Sequence, residues 1–508
     1  MNPNLALLTF GVFIAAGFII ERRHRSVPVS PATWLPLLWM AVCASRSIGQ
    51  WLSVSNHKVT YANEAAYAQA NLTGSAVDRN VLTLMIVIGL VVIYKRASFA
   101  DVFRNNKALL LFVLYMGFTV LWSDDLGVSF KRWVRLFGHV VMAGVLMSER
   151  EPLEAVRTLL RRCAYLLVPL SVMLIKYFPN IGVVYYRKGD LFWIGAAVMK
   201  NGLGHLALAL TFVILWELVT TRSRRENAKF HKLVYDLVVV AMGLWLLRGP
   251  DGVNSSAAVG ALIVGAGILI GSRLPGRKAI FARSGTLVVI AVVTFAVLQS
   301  TLGIIEMIVA SLGRNMTFTD RVPMWNKLVD IGLQSPFLGY GYSGFWTEDR
   351  VAAISAVAGD FTQGHNGYLE LFVEGGFVAI GLLLAMIVVV FRKIQRTDPA
   401  VVDFGILRLS LFVIVLLANI TESAFARERD LLSFVFFVIA MNDQKLGSLV
   451  RSATRALPGQ GDEPVRTPAK TIPRWQGDTA TAARRPVPAR SVQRSVFHPH
   501  TPPFKHQH

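Results

Sequence analysis

Apolar runs separated by short polar connections recur along the first 441 positions of the chain. They cover residues 5–20, 34–52, 81–94, 108–122, 133–147, 164–178, 203–219, 233–247, 257–271, 286–300, 368–391, 404–420 and 431–441. A helix needs about 20 apolar residues to cross a bilayer core; several of these runs are shorter and draw on their flanks. The pattern predicts an all-α class: a polytopic transmembrane bundle of about 12–13 spans over residues 1–441. The last run is the shortest.

Lys and Arg gather in alternate connections: 21–25, 95–107, 148–162, 222–232, 273–283 and 392–396. Short basic loops face the cytoplasm, so the N-terminus is expected outside and the C-terminus inside. The opposite connections are balanced or acidic. The largest, 301–366, holds four Lys/Arg against six Asp/Glu. The cluster at 21–25 follows the first run instead of preceding it, which is not the order of a cleaved signal peptide.

Composition fits this pattern. Of 508 residues, 54% are apolar and only 16% charged, yet 52 Lys+Arg against 31 Asp+Glu leave +21, at a mean hydropathy of +0.49. Disorder throughout is excluded by hydrophobicity, and a disulfide scaffold by having only Cys43 and Cys163. A soluble nucleic-acid binder would explain the charge but not the apolar runs, so no nucleic-acid partner is expected. Residues 442–508 differ: they are rich in Pro, Arg, Thr and Ala, with eleven Lys/Arg against four Asp/Glu. They read as a disordered basic cytoplasmic tail, serving either as a topology anchor or as a segment drawn to anionic lipid. Phosphate-loop, dinucleotide, zinc-protease and nucleophile-elbow motifs are absent from the sequence, so neither an ATP-driven pump nor a cytosolic sugar-nucleotide site is supported.

Candidate chemistry lies in the connections assigned to the outside. His139 and His205 fall within apolar runs and read as structural histidines of the bundle. His365 stands where the long loop enters a helix, at its expected water-exposed mouth. The positive helix end disfavours imidazolium there and suits a neutral ring to general-base work. Residues 318–346 read as an amphipathic helix at the membrane surface, with Pro323 in its first turn and Trp325, Leu328 and Val329 on one face. It breaks at Ser335-Pro336 into a glycine-rich turn at 339–344. Arg321 at its start could grip a phosphate bidentately or a lipid headgroup. Residues 185–205 place Arg187, Lys188 and Lys200 on the side that otherwise avoids cations, which suggests an anionic ligand. Asp124, Asp125, Lys131, Arg132 and Arg135 form a charged turn that local ion pairs also explain, and Ser255-Ser256 reads as a tight turn.

These motifs resemble the O-antigen ligase/O-antigen polymerase superfamily, and within it the exopolysaccharide-production polymerases. The matching stretches are Trp122-Ser123-x-Asp125, then Arg187…Gly195…Lys200-Asn201-x-x-Gly204. Arg321-x-x-x-Trp325…Pro336-x-x-Gly339-x-Gly341 and His365-Asn366-x-x-Leu369…Glu374-x-Gly376 follow. Each is short; their order and shared face make the set specific over roughly 121–384. The resemblance implies an inner-membrane, inverting glycosyltransferase with a periplasmic site. Its donor is a glycan on a polyprenyl diphosphate, and its acceptor another lipid-linked unit or lipid A–core. It implies Arg187 and Arg321 on the diphosphate and His365 on the acceptor hydroxyl, with Asn201, Trp325, Asn366 and Glu374 in support. Lys200 stands where many relatives have an apolar residue or His-Pro, and is either an extra phosphate contact or a subgroup feature.

Because guanidinium groups can stabilise the leaving diphosphate, no metal and no cofactor is expected. Membrane lipids and polysaccharide export proteins are further expected partners. Polymerisation of repeat units is the leading reading and ligation to lipid A–core the alternative. From another class, a multispan transporter predicts ionisable groups near the midplane, for which Lys176, His139, His205 and Glu217 are the scattered candidates. A scaffold for export machinery would be indifferent to His365.

Overall fold

A computed structural model describes residues 2–25, 27–53, 60–61, 75–96, 104–186, 191–223, 230–250, 255–274, 321–359, 361–397 and 401–441. The expected span at 286–300, the tail at 442–508, Arg187 and Lys188 lie outside the described residues. The other twelve apolar runs fall on helices. These are α1 (Pro3–His24), α2 (Trp34–Ala44) with α3 (Ile48–Leu52), α4 (Ala76–Arg96), α5 (Lys107–Phe118), α6 (Leu126–Met147) and α7 (Pro152–Tyr177). α8 (Lys200–Ser223), α9 (Phe230–Arg248) and α10 (Ser256–Gly271) follow. After α11 (Arg321–Gly332) and α12 (Glu348–Ala358) come α13 (Gly367–Gln395), α14 (Val402–Thr421) and α15 (Leu431–Ala440). Among the described residues seven helices are long and apolar enough to cross a membrane, and four more are shorter and apolar. The chain is a multipass, all-α membrane protein. A small sheet adds to it: β1 (Thr60–Tyr61) pairs in parallel with β2 (Val183–Tyr186), which pairs antiparallel with β3 (Leu191–Trp193).

Two runs read as single spans are interrupted. The run at 34–52 stops at Ala44, and α3 starts afresh behind a capping box in which Ser47 and Gln50 satisfy each other's backbone N–H groups. Between them Arg46 turns inward and donates to the carbonyls of Gly195 (2.8 Å) and Ile181 (2.5 Å). A guanidinium thus anchors the β2–β3 hairpin that leads into α8. The loop 301–366 carries a second helix, α12, that its sequence pattern does not announce.

The other interruption is inside α13, at Gly376, where φ is 64° and ψ −164°. Backbone freed by a break in a helix must find other partners, most of all in a membrane protein. Here the turn after α11 supplies them: Tyr340 N–H donates to the Val373 carbonyl (2.9 Å), Gly341 N–H to Glu374 (2.8 Å), and Phe377 N–H to Pro336 (2.7 Å). A Cβ on Gly376 would sit 2.2 Å from the Phe337 carbonyl carbon, so two backbones touch. Residues 377–395 still give about 28 Å of helix at 1.5 Å per residue, close to the bilayer core.

At the opposite end of the helices, buried charge ties four of them together. Glu217 of α8 accepts from Arg161 and Arg157 of α7 (2.6 and 3.1 Å) and Lys232 of α9 (3.3 Å). Glu21 of α1 pairs with Arg162 of α7 at 3.0 Å. Glu217, one of the transporter candidates, therefore sits in an ion-pair cluster. Removing one member of such a cluster strands a buried charge.

Gly376→Ala is expected to lower stability by about 2–3 kcal/mol, combining a strained positive φ with a backbone clash. Gly381→Ala, on the same helix with nothing within 4 Å of its Cβ, should be neutral or slightly stabilising. Thermal unfolding of the two detergent-purified variants checks the contrast; equal melting temperatures would remove the role given to the break.

Candidate functional site

Four segments distant in sequence meet at one end of the bundle: the first turn of α8, the first turn of α11, residues 364–366 before α13, and residues 422–430 between α14 and α15. The last is a wall of the site. Asn419, near the end of α14, accepts from the Ala424 and Phe425 N–H groups (2.9 and 2.7 Å) and curls the chain back at once. Asp430 closes the segment by capping α15, accepting from Leu432 and Ser433 N–H.

His365 is held from both sides. Its φ is +44°, a conformation that a residue with a side chain keeps only when its surroundings impose it. Before it, the Gly364 carbonyl accepts from Trp325 Nε1 of α11 (2.8 Å) and the Gly364 N–H donates to Glu370 Oε2 (2.6 Å). After it, the Asn366 side chain caps α13 by accepting from Tyr368 and Leu369 N–H (3.0 and 3.1 Å). Asn366 N–H donates to Ser423 Oγ (3.2 Å) and Gly367 N–H to the Glu422 carbonyl (3.1 Å). The Phe361 ring meets the imidazole edge-on at 5.9 Å. His365 is only 7% exposed, so the open mouth expected for it is a walled recess.

The centre of the recess is Glu422. His365 Nδ1 lies 3.1 Å from Glu422 Oε2, and Asn201 Nδ2 donates to the same oxygen at 2.9 Å. Arg321 Nη2 donates to Oε1 at 3.0 Å, and Nη1 to the Thr421 carbonyl. Burial acts to raise the Glu422 carboxyl, but His365, Arg321 and His205 outweigh it and hold it at about 2. A carboxylate only accepts, so the imidazole proton facing it is on Nδ1, leaving Nε2 as the free ring position. The ring thus faces an anion as well as the helix end considered from sequence. Of the five N–H groups of Arg321, two are engaged by partners among the described residues and three remain.

His365, Arg321, Asn201, Trp325 and Asn366 are thereby brought together. The Lys200 Nζ lies 4.2 Å from the centroid of Phe192. It lines a pocket with Phe192, Trp193, Asn201, Gly204 and Ser255. Asn201 borders both that pocket and Glu422. Glu374 lies behind the site, buried, accepting from Arg427 at 3.2 Å. The charged turn at 122–135 is a seat: Asp125 caps α6 through Val128 N–H (2.9 Å), Asp124 pairs with Arg350, and Arg132 donates to Ser343. His139 accepts from Trp39 Nε1 at 2.9 Å. His205, one turn after Asn201, pairs with Asp430 at 2.8 Å.

Glu422, Ser423, Arg427 and Asp430 escaped the sequence reading, which passed over 421–430 as a connection between two apolar runs. The signal was present: five charged residues crowd ten positions in a loop assigned to the same face as 301–366.

A multipass membrane bundle with a buried His–Glu–Arg cluster at one end is the class that fold and site define. Residues 252–384 match the family model described as O-antigen ligase, a stretch that includes Arg321, Trp325, His365, Asn366 and Glu374. The chain is also 25% identical over 324 residues to the exopolysaccharide production protein ExoQ of Rhizobium meliloti (strain 1021), covering 58% of this chain and 68% of that protein. Both matches agree with the motifs: the chain is similar to the O-antigen ligase/polymerase superfamily.

A carboxylate held below its ordinary value stabilises the fold above that value and ceases to do so as pH falls. For Glu422 the window runs from about 4.5 down to about 2, worth on the order of 3 kcal/mol at most. The melting temperature of the wild type should therefore fall more steeply across that window than that of Glu422→Gln. Parallel curves would remove Glu422 as the charged centre.

Proposed function

We propose that the chain is an inner-membrane glycosyltransferase that extends an exopolysaccharide from polyprenyl-diphosphate-linked glycan at the periplasmic face. The observation that carries this is the convergence of Arg321, His365 and Asn201, from three separated segments, on Glu422. Arg321 offers its three remaining N–H groups to the diphosphate. Lys200 adds positive charge on the pocket side, and Arg187 is assigned to the diphosphate by the motif it belongs to. Two cationic approaches orient the donor for in-line displacement. His365 Nε2 takes the proton of the acceptor hydroxyl as its oxygen bonds to the anomeric carbon. The bond from that carbon to the phosphate oxygen breaks on the opposite face, and its electron pair leaves on the diphosphate. Configuration inverts. Glu422 keeps the imidazole in the productive tautomer and stabilises the imidazolium that forms. Trp325 and Asn366 hold the histidine's backbone, while Glu374 supports the segment carrying Arg427.

The name of the similar Rhizobium protein ties it to exopolysaccharide production, and on that ground the polymerase reading, whose acceptor is a second lipid-linked unit, is put first. The family description favours a ligase, whose acceptor is lipid A–core, and that is the second reading. Membrane lipids surround either reaction, and export proteins would receive the product. The basic segment 442–508 is assigned to the cytoplasm.

Purified protein given lipid-linked repeat units and each acceptor separately tests the reading. His365→Ala and Arg321→Ala should lower product formation at least 100-fold at normal expression; Arg321→Lys should recover only a small part. Full activity of His365→Ala would falsify the catalytic assignment. The topology has its own test. With buried Cys43 and Cys163 replaced, a single cysteine at exposed Glu348 should react from the periplasm and one at Ser452 from the cytoplasm. The reverse pattern overturns the orientation.

A further inference from the structure

We propose that Glu370 is the positioning residue that sets His365 against Glu422; this rests on the catalytic reading above. Glu370 lies in the first turn of α13 and is 1% exposed. It touches neither the His365 ring nor the open side of the recess. Its two oxygens gather three hydrogen-bond donors and one guanidinium from three segments. Oε2 accepts from Gly364 N–H at 2.6 Å and Ser423 Oγ at 3.3 Å. Oε1 accepts from Trp346 Nε1 at 2.6 Å and pairs with the Arg427 guanidinium.

Two of those donors flank the reacting pair. Gly364 immediately precedes His365, and Ser423 immediately follows Glu422. Ser423 Oγ also accepts from Asn366 N–H, on the other side of His365. The carboxylate therefore ties the backbone beside His365 to the Ser423 side chain beside Glu422. The segments it joins carry the conformations that most need holding: His365 at φ +44° and Ala426 at φ +54°. The Ala426 carbonyl is fixed by Tyr342 Oη at 2.6 Å, and Arg427 beside it by Glu370 and Glu374. Strained conformations persist only where the surroundings over-determine them, and Glu370 is common to both.

Its chemistry suits that role. A carboxylate offers about four acceptor positions and no donor; here three receive an N–H or O–H and the Arg427 guanidinium sits beside Oε1. An amide of the same shape must turn an NH2 toward either Gly364 N–H and Ser423, or Trp346 and Arg427. Glu370→Gln thus opposes donor to donor while leaving volume unchanged.

The experiment measures steady-state glycosyl transfer from lipid-linked repeat units by purified wild type, Glu370→Gln, His365→Ala and the double variant. Expected is a 10- to 100-fold fall in kcat for Glu370→Gln, with KM for the donor within about twofold. In the His365→Ala background the same change should cost less than about twofold, because there is no base left to misplace. A structural role would lower the residual rate by the same factor in both backgrounds; that result, an unchanged kcat, or a loss confined to KM overturns the proposal. If Glu370→Gln does not fold, Ser423→Ala, which removes one link and no charge, carries the test with a smaller loss of about 3- to 10-fold and the same non-additivity. Full activity of His365→Ala overturns the catalytic reading and this proposal together. Its loss alongside full activity of Glu370→Gln and Ser423→Ala overturns this proposal alone.

Discussion

A carboxylate at the end of a membrane bundle, with 6% of its residue surface exposed, keeps its charge only if partners replace the water it has left. Glu422 has three such partners, from positions 201, 321 and 365. None is near it in sequence. Each arrives on an element whose own geometry is already set: Asn201 in the first turn of α8, Arg321 at the start of α11, His365 on the residue before an N-cap. The closure of those distant segments is the condition under which the charge can exist, so the charge enforces the closure. Remove one partner and a buried group is unsatisfied; remove the carboxylate and the other groups lose their common acceptor.

The break in α13 lets the site be built at all. A continuous helix through Gly376 would keep the Val373 and Glu374 carbonyls for itself. Broken, it hands them to Tyr340 and Gly341, and the turn that contains these residues is pinned to the helix carrying Glu370 and Glu374. The same turn reaches the residue just after α5 and the 422–430 wall: Tyr342 N–H donates to Thr119 Oγ1 (3.0 Å) and its hydroxyl to the Ala426 carbonyl. Helix α11, which begins with Arg321, ends at that turn. Its apolar face, Met324, Leu328 and Ile331, packs against Phe372 and Val373 just before the break. A backbone interruption, a glycine and an apolar stripe thus place one arginine.

The helices were legible because an apolar run long enough to span has few other fates; twelve of thirteen runs lie on helices among the described residues. The interruptions at 45–47 and Gly376 were not, since serine and glycine within apolar sequence are compatible with continuous helix and only tertiary partners decide. Among site residues, those in local motifs were legible: Arg321 with Trp325 one turn on, His365 with its capping asparagine, Asn201 near a helix start. Glu422 was not, because its meaning lies wholly in partners at least 57 positions away. Lys200 and Glu374 were found by their types, yet composition could not say that one would rest on an aromatic ring and the other on an arginine behind the site. Arg187 falls outside the described residues, and its place in the site remains part of the proposal.

The pairing of Arg321 with Glu422 bears on how such a site would act. A free guanidinium poised for a diphosphate would hold both phosphate groups tightly before and after transfer, and equal binding of ground and transition states accelerates nothing. Sharing the arginine with a buried carboxylate tempers its hold on the bound donor. In the proposed reaction, negative charge would grow on the leaving phosphate oxygen as the glycosidic bond breaks, while His365 would become cationic. Glu422 can then shift its interaction toward the imidazolium at 3.1 Å, and Arg321 toward the leaving group. Both changes lower the energy of the charge-separated state more than that of the state before it, which is the differential binding that catalysis requires. In that proposal one carboxylate, placed between base and anion grip, would couple the two halves of the reaction.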